Sequence, residues 1–173
     1  GRGFMLPNRY LDIAIDPNGT IYAANPGMHR VERFSATGQL LGHFGRFDST
    51  NPEGFPGCCN PTNIALTPTG DIVVTEKAGP RVKVYTQDGK LRAAFGTEDF
   101  DEDCKNMDIA VDSHGRIYVL DTERFAVVVY EPESGAATSQ PALTRPRPLP
   151  DREGGSAPKT SQEQQNDPGA IPT

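Results

Sequence analysis

Three segments of this chain match one another without a gap, and that repetition restricts the fold more than any other feature. Asp12-Ile13-Ala14-Ile15-Asp16-Pro17-Asn18-Gly19-Thr20-Ile21-Tyr22 is answered by Asn63-Ile64-Ala65-Leu66-Thr67-Pro68-Thr69-Gly70-Asp71-Ile72-Val73. Asp108-Ile109-Ala110-Val111-Asp112-Ser113-His114-Gly115-Arg116-Ile117-Tyr118 repeats it once more. The register carries on through Val31, Val82 and Val127, through Phe34, Tyr85 and Tyr130, and through Phe44-Gly45 and Phe95-Gly96. Successive repeats begin 51 and then 45 residues apart. That period, with four strands in each unit, is the spacing of propeller blades.

Each repeat reads as a four-stranded antiparallel meander. In the first, residues 12–16 make a strand and Pro17-Asn18-Gly19 turns the chain, the glycine supplying the positive φ that other residues avoid. Strands follow at about 20–24, at 30–34 with strict alternation, and at 39–44 after Ala36-Thr37-Gly38. Ala14, Ala65 and Ala110 sit at the centre of the first strand of every repeat. That strand is innermost in a propeller, where blades converge and only a small residue lets neighbouring sheets approach. The fold class is therefore all-β: three consecutive blades at about 12–45, 63–96 and 108–131, within a propeller region 1–131. Proline, serine, glutamine and glycine dominate residues 132–173, which composition predicts to be a disordered tail. The third blade is accordingly expected to lose or weaken its fourth strand. Thr144-Arg145-Pro146-Arg147-Pro148-Leu149-Pro150 also suits polyproline II.

An Asx-Ile-Ala start, a turn glycine, an aliphatic pair and then Arg-Val-x-x-aromatic together resemble the NHL repeat. Arg30-Val31-Glu32-Arg33-Phe34 and Arg81-Val82-Lys83-Val84-Tyr85 carry the resemblance best, and it spans residues 12 to about 131. It implies a ring that usually has six blades and serves binding modules, with a metal-dependent amidating lyase among its members. Three blades do not close such a ring, so the expected partners include missing blades, or a second copy that closes it by self-association. The chain begins at Gly1, about where a preceding blade's outer strand would end, and truncation is the favoured expectation.

Residue chemistry narrows the function further. A net charge of −6 argues against a nucleic-acid surface, which needs a basic stripe. No apolar run approaches the roughly 18 residues of a membrane-spanning helix. Cys58 and Cys59 lie in the long loop leading into the second repeat, and Cys104 in the loop leading into the third; Cys59 and Cys104 hold equivalent places, four residues before Asn63 and Asp108. Three thiols on two adjacent loops suit either a soft metal ion or a disulfide tying the loops together. The loops between second and third strands open on the same end. They bring Asn25, His29 and Arg30, then Glu76, Lys77 and Arg81, then Asp121, toward Asp12, Asn63 and Asp108. This polar end is the expected binding face for a protein or small-molecule ligand, although Asx and Arg residues at such positions also satisfy loop backbone groups. His43 falls in an outer strand and His114 at the opposite end, so the lyase's histidine set does not carry over onto this chain. The reading is a non-enzymatic binding propeller, with a metal-dependent lyase or hydrolase as the alternative. The cysteine loops point to an extracytoplasmic setting, periplasmic or secreted.

Overall fold

The computed structural model describes Phe4, residues 11–105 and 107–132, and the backbone of residues 147–148. Strands β1 (Ile13–Ile15), β2 (Ile21–Asn25), β3 (Arg30–Phe34) and β4 (Leu40–Phe44) form the first blade. β5 (Ile64–Leu66), β6 (Ile72–Glu76), β7 (Arg81–Tyr85) and β8 (Leu91–Phe95) form the second. β9 (Ile109–Val111), β10 (Ile117–Asp121), β11 (Ala126–Tyr130) and β12 (Arg147–Pro148) form the third. Each sheet is an antiparallel meander in chain order. Equivalent strands pair in equivalent register: Ala14 faces Tyr22, Ala65 faces Val73 and Ala110 faces Tyr118. The turn between first and second strands closes the same way in all blades, with Gly19, Gly70 and Gly115 in the left-handed region at φ 83°, 85° and 81°.

The fourth strand of the third blade is weakened, as expected, to two residues against five in β4 and β8. It exists, as the two-residue β12, and comes from within the proline-rich segment. Arg147 and Pro148 pair with Val129 and Val128, an outer-edge position where proline's missing N–H costs no central ladder bond. The remainder of the tail beyond residue 132 lies outside the described residues.

The blades stack side by side around their inner strands, β1 beside β5 and β5 beside β9. Between the first and second blades, Tyr22, Val31, Phe55, Ile64, Ile72, Val74 and Tyr85 are buried, with Ala14, Phe44 and Leu66 packed against them. Between the second and third, Val73, Val82, Val84, Ile109, Ile117, Val119 and Tyr130 are joined by Phe100, Cys104 and Met107 from the lead-in loop, with Ala65 and Phe95 alongside. Ala14 and Ala65 thus face the following blade, while the larger Ile64, Leu66, Ile109 and Val111 face the preceding one. The small residue admits the neighbour and the large ones fill the space it leaves.

An aromatic cluster repeats at each seam. Phe44 closes on Tyr85 at 5.1 Å between ring centroids, and Phe55 reaches the same ring at 5.6 Å. Phe95 closes on Tyr130 at 4.5 Å, with Phe100 at 6.5 Å. Offset and tilted ring pairs of this kind add about 0.5–1.5 kcal/mol beyond the area they bury. Gly45 and Gly96 make room for them: a Cβ on either would collide with the ring of Phe55 or Phe100, and both stand at φ 89°. The Phe-Gly pairs noted in the sequence are therefore packing devices.

Candidate functional site

The repeating Asx residues set the geometry of the end where the long loops meet. The carbonyls of Asp12, Asn63 and Asp108 accept from Ala24, Thr75 and Leu120, which extends the inner ladder of each blade by one bond. Their side chains then stitch neighbouring blades. Asp12 Oδ2 accepts the Ile64 amide across the first seam at 2.8 Å, and Asn63 Nδ2 donates to Asp108 Oδ1 across the second at 3.3 Å. Thr75 Oγ1 donates to the Met107 carbonyl across the same seam. Asp108 Oδ1 also receives its neighbour's amide, Ile109, as Asp12 Oδ1 receives Ile13.

A cavity of about 170 Å³ opens against this ladder, lined by Leu11, Asp12, Thr62, Asn63, Lys77, Lys105 and Asp108. Of the residues singled out in the sequence, Asp12, Asn63, Lys77 and Asp108 meet here. Thr62 and Lys105 were not singled out. Thr62 arrives because its amide and hydroxyl both bond to Thr75, which draws the lead-in loop onto β6. Lys105 follows the buried Cys104 in chain order, and that position beside a singled-out residue is the one signal the sequence carries for it. Its ammonium lies 3.7 Å from Asp103 and donates to the Glu102 carbonyl. The lining thus sets two ammonium groups against two carboxylates, which suits a dipolar or zwitterionic ligand group better than a plain anion.

The other residues of the expected face are taken up inside the protein. Asn25, Glu76 and Asp121 end the second strand of each blade and are fully buried. Asn25 donates to Glu32, which also holds Arg30. Glu76 is flanked by Arg81 and by Lys83, whose ammonium is 2.9 Å away and itself fully buried. Burial lowers the pKa of Lys83, with Glu76 acting in the opposite sense. Lys83 also donates to the Gly54 carbonyl and lies 5.1 Å over the ring of Phe55, so the pair ties the first lead-in loop onto the second blade. Asp121 Oδ1 accepts the amides of Glu123 and Arg124, and Arg124 stands 3.6 Å from its other oxygen. His29 caps the short 3-10 turn Pro26–Met28 in the left-handed region and meets Phe47 edge-on at 5.1 Å.

The cysteines do not link the two loops. Cys58 and Cys59 form a disulfide with each other, within one loop, where sequence reasoning pointed to a bridge between loops or a metal ion. Their loop is fixed instead by Asn60. Its amide oxygen accepts from Lys77 and Ala78, and its nitrogen donates to the Pro56 and Ala78 carbonyls. Cys104 keeps its thiol and is buried, 3.6 Å from Asp121 Oδ1 and 3.7 Å from Thr122 Oγ1. Among the described residues no group of three or more His, Cys, Asp or Glu side chains is arranged to hold a metal ion. Nor is any described helix long and apolar enough to cross a membrane.

With this geometry in view, the likeness to known proteins falls on the repeats. An NHL repeat is recognised at residues 108–130, the third blade through β11. The sequence is 24% identical over 121 residues to Protein brain tumor of Drosophila melanogaster, an alignment covering 69% of this chain and 11% of that one. Among solved structures, a protein of unknown function from Bacteroides caccae superposes with a TM-score of 0.55 at 16% identity, over 83% of this chain and 47% of the other. Virginiamycin B lyase from Staphylococcus aureus superposes with a TM-score of 0.50 at 17% identity, over 77% and 40%. The chain therefore spans less than half of each protein it resembles, and the two structures share its fold alone. Three consecutive four-stranded blades in equivalent register, with an NHL repeat recognised in the third, give this chain the fold of β-propeller blades and a likeness to NHL-repeat proteins.

Proposed function

We propose that this chain is a non-enzymatic binding module that takes a protein or small-molecule ligand on the end of the blades carrying the cysteine loops. The observation that carries the reading is the cavity in which Asp12, Asn63 and Asp108 meet Lys77 and Lys105. It lies where blades converge, the usual place for a ligand in a fold built of radial repeats, and its mixed charge fits a group bearing both signs, such as a peptide end. The setting proposed with it is extracytoplasmic, where a disulfide such as Cys58–Cys59 persists.

Amide chemical shifts during titration with short peptides bearing free termini test the site. Shifts confined to Thr62, Asn63, Lys77, Lys105 and Asp108, and lost in the Lys77→Ala/Lys105→Ala variant, are expected. Shifts gathered instead around His114 and Arg116 at the opposite end would overturn the placement. The alternative function, a metal-dependent lyase or hydrolase, is tested on the same preparation by metal analysis: a stoichiometric metal lost on Cys104→Ser would favour it.

A further inference from the structure

The Cys58–Cys59 bridge fastens almost nothing. It joins residues adjacent in sequence. A disulfide stabilises a fold mainly by closing a loop of the unfolded chain, and this one closes none. The segment is held by other groups on either side of it. Before the bridge, Gly57 lies so close to Ala78 that a Cβ would collide with the Ala78 side chain. After it, the fully buried Asn60 bonds to Pro56, Lys77 and Ala78. Both contacts dock the loop on the turn that follows β6, and neither involves a sulfur.

Linkage makes the converse hold. Whatever the bridge adds to the stability of the fold, the fold adds to the stability of the bridge. A structural disulfide resists thiol reductants because folding holds it closed. Here the loop term is so small that folding should shift the equilibrium with a reductant by no more than about 5-fold. The two sulfurs also differ in access. Cys58 is exposed, whereas Cys59 is 3% exposed and stands in the left-handed region at φ 72°. A thiolate arriving from solvent meets the Cys58 sulfur first. The third cysteine of the chain stays out of the exchange. Cys104 is buried at the other seam, its sulfur 3.6 Å from Asp121 Oδ1 and 3.7 Å from Thr122 Oγ1.

We propose that Cys58–Cys59 is a thiol–disulfide exchange site, a two-electron couple that a dithiol opens and its oxidised form closes on the folded protein. One thiolate of the dithiol attacks the Cys58 sulfur. A bond forms between them, the bond to Cys59 breaks, and the electron pair leaves on the Cys59 sulfur. The second thiolate of the dithiol then attacks its own sulfur in the mixed disulfide and displaces Cys58. The dithiol is oxidised to its disulfide, and its two protons pass by way of water to Cys58 and Cys59. The inference does not depend on the ligand reading. In the oxidising setting proposed above the pair rests closed.

Equilibration of the whole chain against mixtures of reduced and oxidised dithiothreitol tests the couple, once in buffer and once unfolded in urea. Alkylation in place and mass spectrometry then count the thiols. In buffer two labels are expected, on Cys58 and Cys59 and not on Cys104, with circular dichroism unchanged. Excess oxidised dithiothreitol should restore the bridge. The equilibrium constants in buffer and in urea should agree within about 5-fold. A folded chain that favours the bridge by roughly 100-fold or more over the unfolded one would overturn the proposal, since the fold would then be maintaining it. Loss of strands on reduction would overturn it too. The point of attack is read from single variants. The Cys58 thiol left in Cys59→Ser should alkylate roughly 10-fold or more faster than the Cys59 thiol left in Cys58→Ser. Equal rates would remove Cys58 as the entry point and overturn the mechanism as written.

Discussion

The two internal seams are built on one repeat and held by opposite means. At the first, a long lead-in loop is brought onto the second blade by polar groups: Lys83 donates to Gly54, Tyr85 donates to Glu53 at 2.9 Å, and Glu76 balances the buried ammonium. At the second, a shorter loop fills the seam with Phe100, Cys104 and Met107, and Val128 stands in the place of Lys83. The polar ties of that loop carry no buried ion pair: Thr75 donates to the Met107 carbonyl, Tyr130 to Asp99 at 2.9 Å and Arg124 to the Asp99 carbonyl. A repeat thus specifies where a loop must dock, while a single strand position decides whether the docking is ionic or apolar. The buried pair is the more brittle solution, since removing one partner strands the other in a medium that does not solvate it.

Substitution at the matched positions should separate the two seams most widely. Lys83→Ala leaves Glu76 buried with Arg81 as its remaining ionic partner and is expected to cost about 3–5 kcal/mol, measured by urea unfolding. Val128→Ala is expected to cost about 1 kcal/mol, as a partly buried truncation that leaves no charge behind. Equal losses at the two positions would break the contrast.

The tyrosine hydroxyls should reverse the order. Tyr130→Phe removes a bond to a carboxylate and is expected to lose about 1.5–3 kcal/mol, whereas Tyr85→Phe removes a bond to a carbonyl and should lose about 0.5–1.5 kcal/mol. Burial raises the pKa of both phenols, so neither should ionise before the protein unfolds in alkali. An absorbance step at 295 nm that precedes loss of circular dichroism and is diminished in Tyr85→Phe or Tyr130→Phe would contradict that.

Acid should act on the first loop through Asp48. The amides of Asn51 and Thr50, with the Thr50 hydroxyl and Arg46, hold its carboxyl well below the ordinary 3.8. The folded form therefore binds this proton more weakly than the unfolded one. Its contribution is complete above the ordinary value and is lost as pH falls through the folded pKa. Hydrogen exchange at residues 46–55 is expected to quicken as pH drops below 3.8, after correction for intrinsic rates, ahead of global unfolding. The smallest effect should come from reducing Cys58–Cys59. The bridge joins adjacent residues and constrains almost no chain, so its loss is expected to change stability by about 1 kcal/mol or less, while Asn60 keeps the loop in place. A large loss on reduction would make the disulfide, rather than the buried ion pair, the main fastening of that seam.

Local pattern was enough for the blades. Strand positions, turn glycines and the inner alanines are dictated within a few residues by alternation, by positive φ and by the space at the axis, and each appears where the repeat places it. Asp12, Asn63, Lys77 and Asp108 reach one cavity for the same reason, since equivalent positions on stacked repeats must lie side by side. What the chain could not declare locally was the side on which a polar residue would be enclosed. Lys83 alternates with Val82 and Val84 as a solvent-facing lysine would. It is buried because the loop ending at Phe55 folds over that face. Asn25, Glu76 and Asp121 look like members of an open rim, but they are consumed by Glu32, by Arg81 and Lys83, and by the amides of a neighbouring turn. The two-residue β12 pairs across the intervening residues to an edge that only the assembled sheet provides. Periodicity is a property of neighbours in sequence, and so the sequence by itself determined the blades and their stacking order. Burial and charge pairing depend on which distant loop covers a face, and only the tertiary structure decided those.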